Sequence, residues 1–91
     1  MKVIASNHFL KFKKKSFKKL QLAIDDQVRL ILESPEIGEL KKGDLRGIRV
    51  HKFKHGPQLL LLSYEIKRDT LFLYSIGSHE SFYKKLKQYF R

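Results

Sequence analysis

Ninety-one residues leave room for one domain with a modest core, and a hydrophobic content of 42% suffices to build it. Twenty Lys plus Arg against nine Asp plus Glu give a formal net charge of +11, and there is no cysteine. Disulfides and thiolate metal sites are therefore excluded, and a cytoplasmic home fits. Residues 1–34 carry eight basic and three acidic side chains, residues 35–55 six and three, and residues 56–91 six and three. The excess is spread along the chain, so no detachable basic arm accounts for it. A polyanion partner is implied, whether nucleic acid, an acidic protein or both, against the plainer reading of a soluble basic domain. The start, "MKVIASNHFLKFKKK", has too short an apolar run for a signal peptide, and no stretch reaches the length of a membrane span.

In chain order, "KVIAS" (Lys2–Ser6) reads as a short strand, with Ser6 as N-cap of a helix holding Phe9, Leu10 and Phe12. Ser16 is read as the cap of a second helix. Its Phe17, Leu20, Ile24, Val28 and Ile31 recur at spacings of three and four as one apolar stripe, which Leu22, Leu30 and Leu32 widen. Pro35 ends that helix. "ELKKGDLRG" (Glu39–Gly47) reads as a polar loop. "IRVHKFKH" (Ile48–His55) alternates like a strand but slips near His51–Lys52, which suggests a bulge. After the turn at Gly56–Pro57, "QLLLLSYEI" reads as a central strand buried on both faces. "KRDT" turns the chain into a further strand, "LFLYSI", which stops at Gly77. A final helix sets Phe82, Leu86, Tyr89 and Phe90 on one face, with Lys84, Lys85, Lys87 and Arg91 mostly on the other. The order β-α-α-β-β-β-α requires an antiparallel meander with two helices over one face.

Several chemistries can be set aside. No glycine-rich phosphate loop is present. His8, His51, His55 and His79 show no metal-ligand spacing, and acidic residues are too few for a two-metal site. What remains is the cationic strand with Arg49, Lys52 and Lys54, flanked by His51 and His55. It is either ordinary decoration of an exposed strand or a phosphate-binding concavity. His79 is read at the first turn of the last helix with Ser78 as cap, either as a capping histidine or as an acid–base group beside Arg49 and Lys52. Positive potential at a helix start would favour its neutral, proton-accepting form. Tyr83, four residues on, would share its face, either as core packing or as a stacking ring. His8 reads as surface decoration. Such a set suits RNA backbone cleavage. The 2′-hydroxyl must lose a proton as it attacks phosphorus, cations must neutralise the added charge, and a donor must protonate the leaving 5′ oxygen. A ring can stack on an unpaired base, and no metal is required in principle.

The element order, the loop "ELKKGDLRGIRV", the meander and the ending "IGSHESFY" together resemble the RelE/ParE superfamily of toxins from bacterial type II toxin–antitoxin systems. The likeness covers nearly the whole chain and is strongest from Leu40 to Tyr83, in Leu40, Leu45, Gly47, Arg49 and the strand tyrosine Tyr64. It implies an α+β fold, a RelE-like β-α-α-β-β-β-α arrangement. The sheet is mainly antiparallel, two N-terminal helices pack on one face and a C-terminal helix follows, all in a single toxin domain over residues 1–91. Most ribonuclease members are implied to cut messenger RNA in the ribosomal A site, without a small-molecule cofactor, and to be silenced by an antitoxin, here expected to be acidic.

"GSHESFY" is similar to the Gly-Ser/Thr-His-x-x-x-Phe/Tyr ending of the YafQ-like branch, which implies a catalytic His79 with Tyr83 at the site. The family's second-strand arginine corresponds to Arg49. Basic residues or histidines farther along that strand are implied at the site as well. Arg49, with Lys52 or Lys54, is expected to neutralise the scissile phosphate, and Tyr83 to stack on a base or help transfer a proton, while Lys54, His51, His55 and the loop cations Lys42 and Arg46 are expected to bind RNA. Two departures stand out. The branch's arginine four residues before its histidine is Ser75 here, and its hairpin carboxylate is missing from "HGPQ". ParE-type members are implied to poison DNA gyrase without a ribonuclease site, which is the alternative, and a degenerate member that only binds antitoxin is a third.

Overall fold

The computed structural model describes residues 1–79 and 82–89. A short strand β1 (Lys2–Ala5) leads through Ser6 into α1 (Asn7–Lys15), and α2 (Lys18–Glu33) returns. A two-residue strand β2 (Glu39–Leu40) and a 3₁₀ turn (Gly43–Leu45) precede β3 (Arg49–His55), β4 (Gln58–Lys67) and β5 (Thr70–Ser78); α3 (Phe82–Tyr89) ends the described chain. The placements read for Lys84, Lys85, Tyr89, Phe90 and Arg91 lie outside the described side chains. The five strands form one sheet in the order β1-β5-β4-β3-β2, antiparallel except that β1 runs parallel to β5. The expected α+β fold is the one observed, with β2 added inside the polar loop.

β4 is central and apolar on both sides because the sheet has two cores. On one side, Phe53, Leu60, Leu62, Tyr64, Leu71, Leu73 and Ile76 pack under Phe9 of α1 and Ile24 and Ile31 of α2. On the other, Val50 and Leu61 pack with Leu45 and Ile48 under Phe82 and Leu86 of α3. Each such buried aliphatic or aromatic side chain contributes about 1.5–3 kcal/mol.

Two-sided burial also explains the broken alternation in β3. Val50 serves the α3 side and Phe53 the α1/α2 side, so apolar residues occur at both parities without any bulge. β3 pairs in unbroken register from Arg49↔Tyr64 to His55↔Gln58. The register shift lies instead between β4 and β5, at Ser63/Tyr64, where Ser63 faces Ser75 and Tyr64 faces Leu73. The buried hydroxyls of Ser63 and Ser75 satisfy each other there at 2.6 Å.

Two helix boundaries differ from expectation. Ser6 caps α1, accepting from the Phe9 amide at 3.1 Å, as read. Ser16 closes α1 instead of opening α2, because its hydroxyl turns back to donate to the Phe12 carbonyl at 2.8 Å. Phe17 therefore takes the cap position of α2, with no side-chain hydrogen bond. At the other end, β5 does not stop at Gly77. Pairing with Leu61 and Leu60 carries it through Ser78.

Candidate RNA-binding site

Strand parity decides which side of the sheet each candidate occupies. In β3, Val50 packs under α3, so Lys52 and Lys54 share that side; Phe53 packs under α1 and α2, so Arg49, His51 and His55 share the other. The cationic strand is thus divided. Its two lysines are exposed beside the α3 core, whereas Arg49 and His51 are drawn into the helix layer.

Arg49 is half-buried, and its Nη1 donates to the carbonyl oxygens of Gly38 at 2.8 Å and Glu36 at 3.4 Å. It fastens the segment joining α2 to β2. The same segment is held by Tyr64, whose hydroxyl donates to the Pro35 carbonyl at 2.7 Å and accepts from the Gly38 amide at 2.9 Å. Gly38 must be glycine for this contact: a Cβ there would stand 2.7 Å from the Tyr64 ring. His51 is buried, stacks on Phe53, and shares a 2.6 Å hydrogen bond with Oε1 of Gln27 on α2. Burial lowers its pKa from 6.5. The convergence of Arg49 with His79 expected from the sequence is not found. Arg49 lies five residues, or about 16 Å, along the strand from Lys54 and faces the opposite side. His51 is likewise withdrawn from the exposed lysines by its partner on α2.

A different set does come together. Lys54 pairs across the ladder with Leu59, and Leu60 pairs with Ser78, so the chain leaving β5 at His79 passes Leu59. His79 is exposed and lines an open hollow of about 390 Å³ with Gln58, Leu59 and Ser78. Lys54 and His79 therefore flank Leu59, about two strand spacings or roughly 10 Å apart at the backbone. Lys52 stands one row in, opposite Leu61 and then Gly77. His55, half-buried, ends β3 at the same hairpin. The shared face read for His79 and Tyr83 runs through Glu80 and Ser81, which lie outside the described residues. Ser78 ends β5, His79 follows it in 3₁₀ conformation, and Tyr83 is the second residue of α3.

Tyr83 has another partner. Its ring, edge-on to Phe82 at 5.3 Å, lies 5.0 Å from Nζ of Lys41. A hydrogen bond to Tyr83 and, after it, one to Glu39 hold the Lys41 ammonium charged above its usual range, against a desolvating effect in the other direction. Glu39 is correspondingly held below the ordinary carboxylate range, first by its hydrogen bond to Lys41. Lys41 escaped the sequence reading because its segment looked like loop. Recognising a strand at Glu39–Leu40 would have set Glu39 and Lys41 on one side by parity. Lys42 and Arg46 flank the 3₁₀ turn and are both exposed. Among the described residues, no three His, Asp or Glu side chains gather into a metal-binding group, and no helix is long and apolar enough to cross a membrane.

Residues 3–87 match the family model for ParE-like toxins of type II bacterial toxin–antitoxin systems. The chain belongs to that family. The fold is that of solved RelE structures. E. coli RelE in the intact RelBE toxin–antitoxin complex aligns with a TM-score of 0.69 at 21% identity, covering 87% of this chain and 96% of that one. The isolated E. coli RelE toxin aligns with a TM-score of 0.66 at 20% identity, covering 96% of each. A free-state mutant of E. coli RelE reaches 0.73 at 18% identity, covering 94% of this chain and 90% of that one. No curated protein matches the sequence. At these identities the structural likenesses establish the toxin's RelE-like fold, and its site rests on its own residues.

Proposed function

We propose that this toxin cleaves messenger RNA on the ribosome through its own side chains, with His79 as the acid–base group and Lys54, assisted by Lys52, as the phosphate-neutralising group. The observation that carries this reading is the cross-strand arrangement Lys54–Leu59–His79: an exposed imidazole and an exposed ammonium on either side of one apolar residue, at an open hollow. A phosphodiester lying over Leu59 would meet both. Imidazole changes protonation in the physiological range, so it can take the 2′-hydroxyl proton or return one to the leaving 5′ oxygen. The ammonium groups would stabilise charge as it grows on the phosphoryl oxygens. Arg49 has no part in this step. Tyr83 is assigned to holding Lys41 and α3 rather than to proton transfer.

The partner that silences the toxin is proposed to be an acidic antitoxin, since the toxin carries a net charge of +11 and E. coli RelE is known in complex with its antitoxin. Gyrase inhibition is the second reading, and one observation favours it. The family arginine is tied into the α2–β2 segment, and Ser75, where the YafQ-like branch has another arginine, is buried against Ser63. The toxin would then lack guanidinium groups at the hollow.

The test is to induce the wild type, His79→Ala and Lys54→Ala in cells and map transcript ends. Codon-phased cuts that vanish in both variants support the nuclease. Growth arrest with DNA damage and intact transcripts would establish the gyrase reading instead.

A further inference from the structure

The elbow between α1 and α2 breaks three local rules in five residues. Phe17 belongs by spacing to the apolar stripe of α2, yet it is 91% exposed, the most exposed of the large hydrophobic side chains among the described residues. A phenylalanine is a poor helix cap, and Ser16 beside it, a good one, is spent on α1. The first turn of α2 holds Lys18 and Lys19 and no acidic residue, where the helix dipole disfavours cations. Lys13, Lys14 and Lys15 end the preceding helix, so six lysines fall between residues 11 and 19 with no carboxylate among them. Among the described residues, only Lys13 of these six forms an ion pair, with Asp25. Lys11, Lys14, Lys15, Lys18 and Lys19 are all exposed. Folding alone gains nothing from this concentration of like charge around a bare aromatic ring. Rules broken together at one place point to a binding role.

The chemistry of the elbow selects its ligand. Lysines attract phosphates without reading sequence, and an aromatic face accepts any unpaired base. A duplex keeps its bases stacked internally and could use only the lysines. We infer that the α1–α2 elbow is a docking site for unpaired RNA, with one base stacked on Phe17 and neighbouring phosphates held by Lys14, Lys15 and Lys18. This rests on the RNA-directed reading proposed above and extends it to a second surface. The elbow and the Lys54–His79 hollow lie on opposite sides of the sheet, so one strand serving both would have to pass around the end they share. α2 passes His51 at Gln27 and reaches Tyr64 at Pro35, so it descends toward the Arg49 end of β3. Its first residue stands nine positions, about 13.5 Å, before Gln27. The elbow thus points toward the end of the sheet that carries Lys54 and His79.

The toxin has no tryptophan, so Phe17→Trp supplies a single indole reporter that retains a stacking face. The probes are a fluorescein-labelled 2′-O-methyl oligouridylate, which cannot be cut because its nucleophile is blocked, and an RNA duplex of equal length. Phe17→Ala is expected to weaken oligouridylate binding roughly ten-fold and leave duplex binding unchanged. Binding of unlabelled oligouridylate should quench the indole fluorescence of the Phe17→Trp variant. The triple variant Lys14→Gln, Lys15→Gln, Lys18→Gln should weaken both probes and flatten the slope of log K against log salt by about 2 for the single strand. Phe17 is almost wholly exposed, so thermal melts of Phe17→Ala should match the wild type and exclude misfolding as the cause.

Unchanged oligouridylate binding by Phe17→Ala, together with unquenched indole fluorescence in Phe17→Trp, would overturn the inference. So would lysine variants that keep RNA affinity but lose binding to polyglutamate, which would mark the elbow as a protein dock. Failure of the nuclease reading looks different: transcripts stay whole in cells while the elbow variants still lose the oligouridylate.

Discussion

The two sides of the sheet are built to different ends, and β3 contributes to both. On the α1/α2 side, Arg49 is tied to two carbonyls, His51 to Gln27, and Tyr64 lies between Pro35 and Gly38. On the α3 side, the polar groups left over toward the hairpin, Lys52 and Lys54, stand in solvent beside His79. A buried polar group must find its partner inside the protein, and an exposed cation remains available for a ligand. Alternation along one strand thus leaves its even-numbered lysines in solvent and ties its odd-numbered arginine and buried histidine into the structure.

Substitutions can break or sharpen that division. The largest effects belong to the open side. His79→Ala is expected to slow RNA cleavage by about 10²–10⁴-fold, and Lys54→Ala by about 10²–10³-fold. Neither should change the thermal midpoint, because both side chains are exposed. Single-turnover cleavage rates and melts on the same preparations would check this.

Changes on the closed side should do the reverse. Gly38→Ala drives a methyl into the Tyr64 ring, and overpacking of this kind costs about 1–3 kcal/mol. Arg49→Ala removes hydrogen bonds from a charged donor and should cost about 1.5–3 kcal/mol, reduced by its partial exposure. Urea denaturation should register both losses, with the cleavage rate of the folded fraction retained. An Arg49→Ala variant that keeps its stability but loses cleavage would show that the guanidinium serves the reaction after all.

The smallest effect is a pH dependence of stability. The folded pKa of His51 is depressed by burial below the ordinary 6.5. Protonation therefore favours the unfolded chain. The contribution of neutral His51 is fully present above pH 6.5 and is lost as pH falls through the folded value. Denaturation midpoints at about pH 7.5 and about pH 5.5, on either side of the ordinary imidazole range, should differ less in His51→Gln than in the wild type.

The parts of the fold that could be read from the residues were those where one signal dominated. The run Leu59–Leu62 declared a central strand, and the spacing from Leu20 to Ile31 declared α2. The misread parts had two equally good local solutions. The Ser16 hydroxyl can serve the helix before it or the one after it. Gly77 can end a strand, but antiparallel pairing with Leu61 continued it. In β3 the slip in alternation came from two cores rather than a bulge, and the true register shift at Ser63/Tyr64 was hidden in a strand apolar at nearly every position. Around the candidate site, the cations of β3 were legible and the sides they take were not. Grouping Arg49, His51, Lys52 and Lys54 by charge ignored strand parity, which separates them two and two. Lys41 became visible only once Glu39–Leu40 was seen to be a strand.

The central claim is that His79 and Lys54 act on a single phosphodiester whose own 2′-hydroxyl is the nucleophile. Mass spectrometry of the cut ends tests it most directly. The expected products carry a 2′,3′-cyclic phosphate and a 5′-hydroxyl, and a 2′-deoxy substitution at the cut position should abolish them. Ends bearing a 3′-hydroxyl and a 5′-phosphate, or cutting that survives the 2′-deoxy substitution, would contradict it.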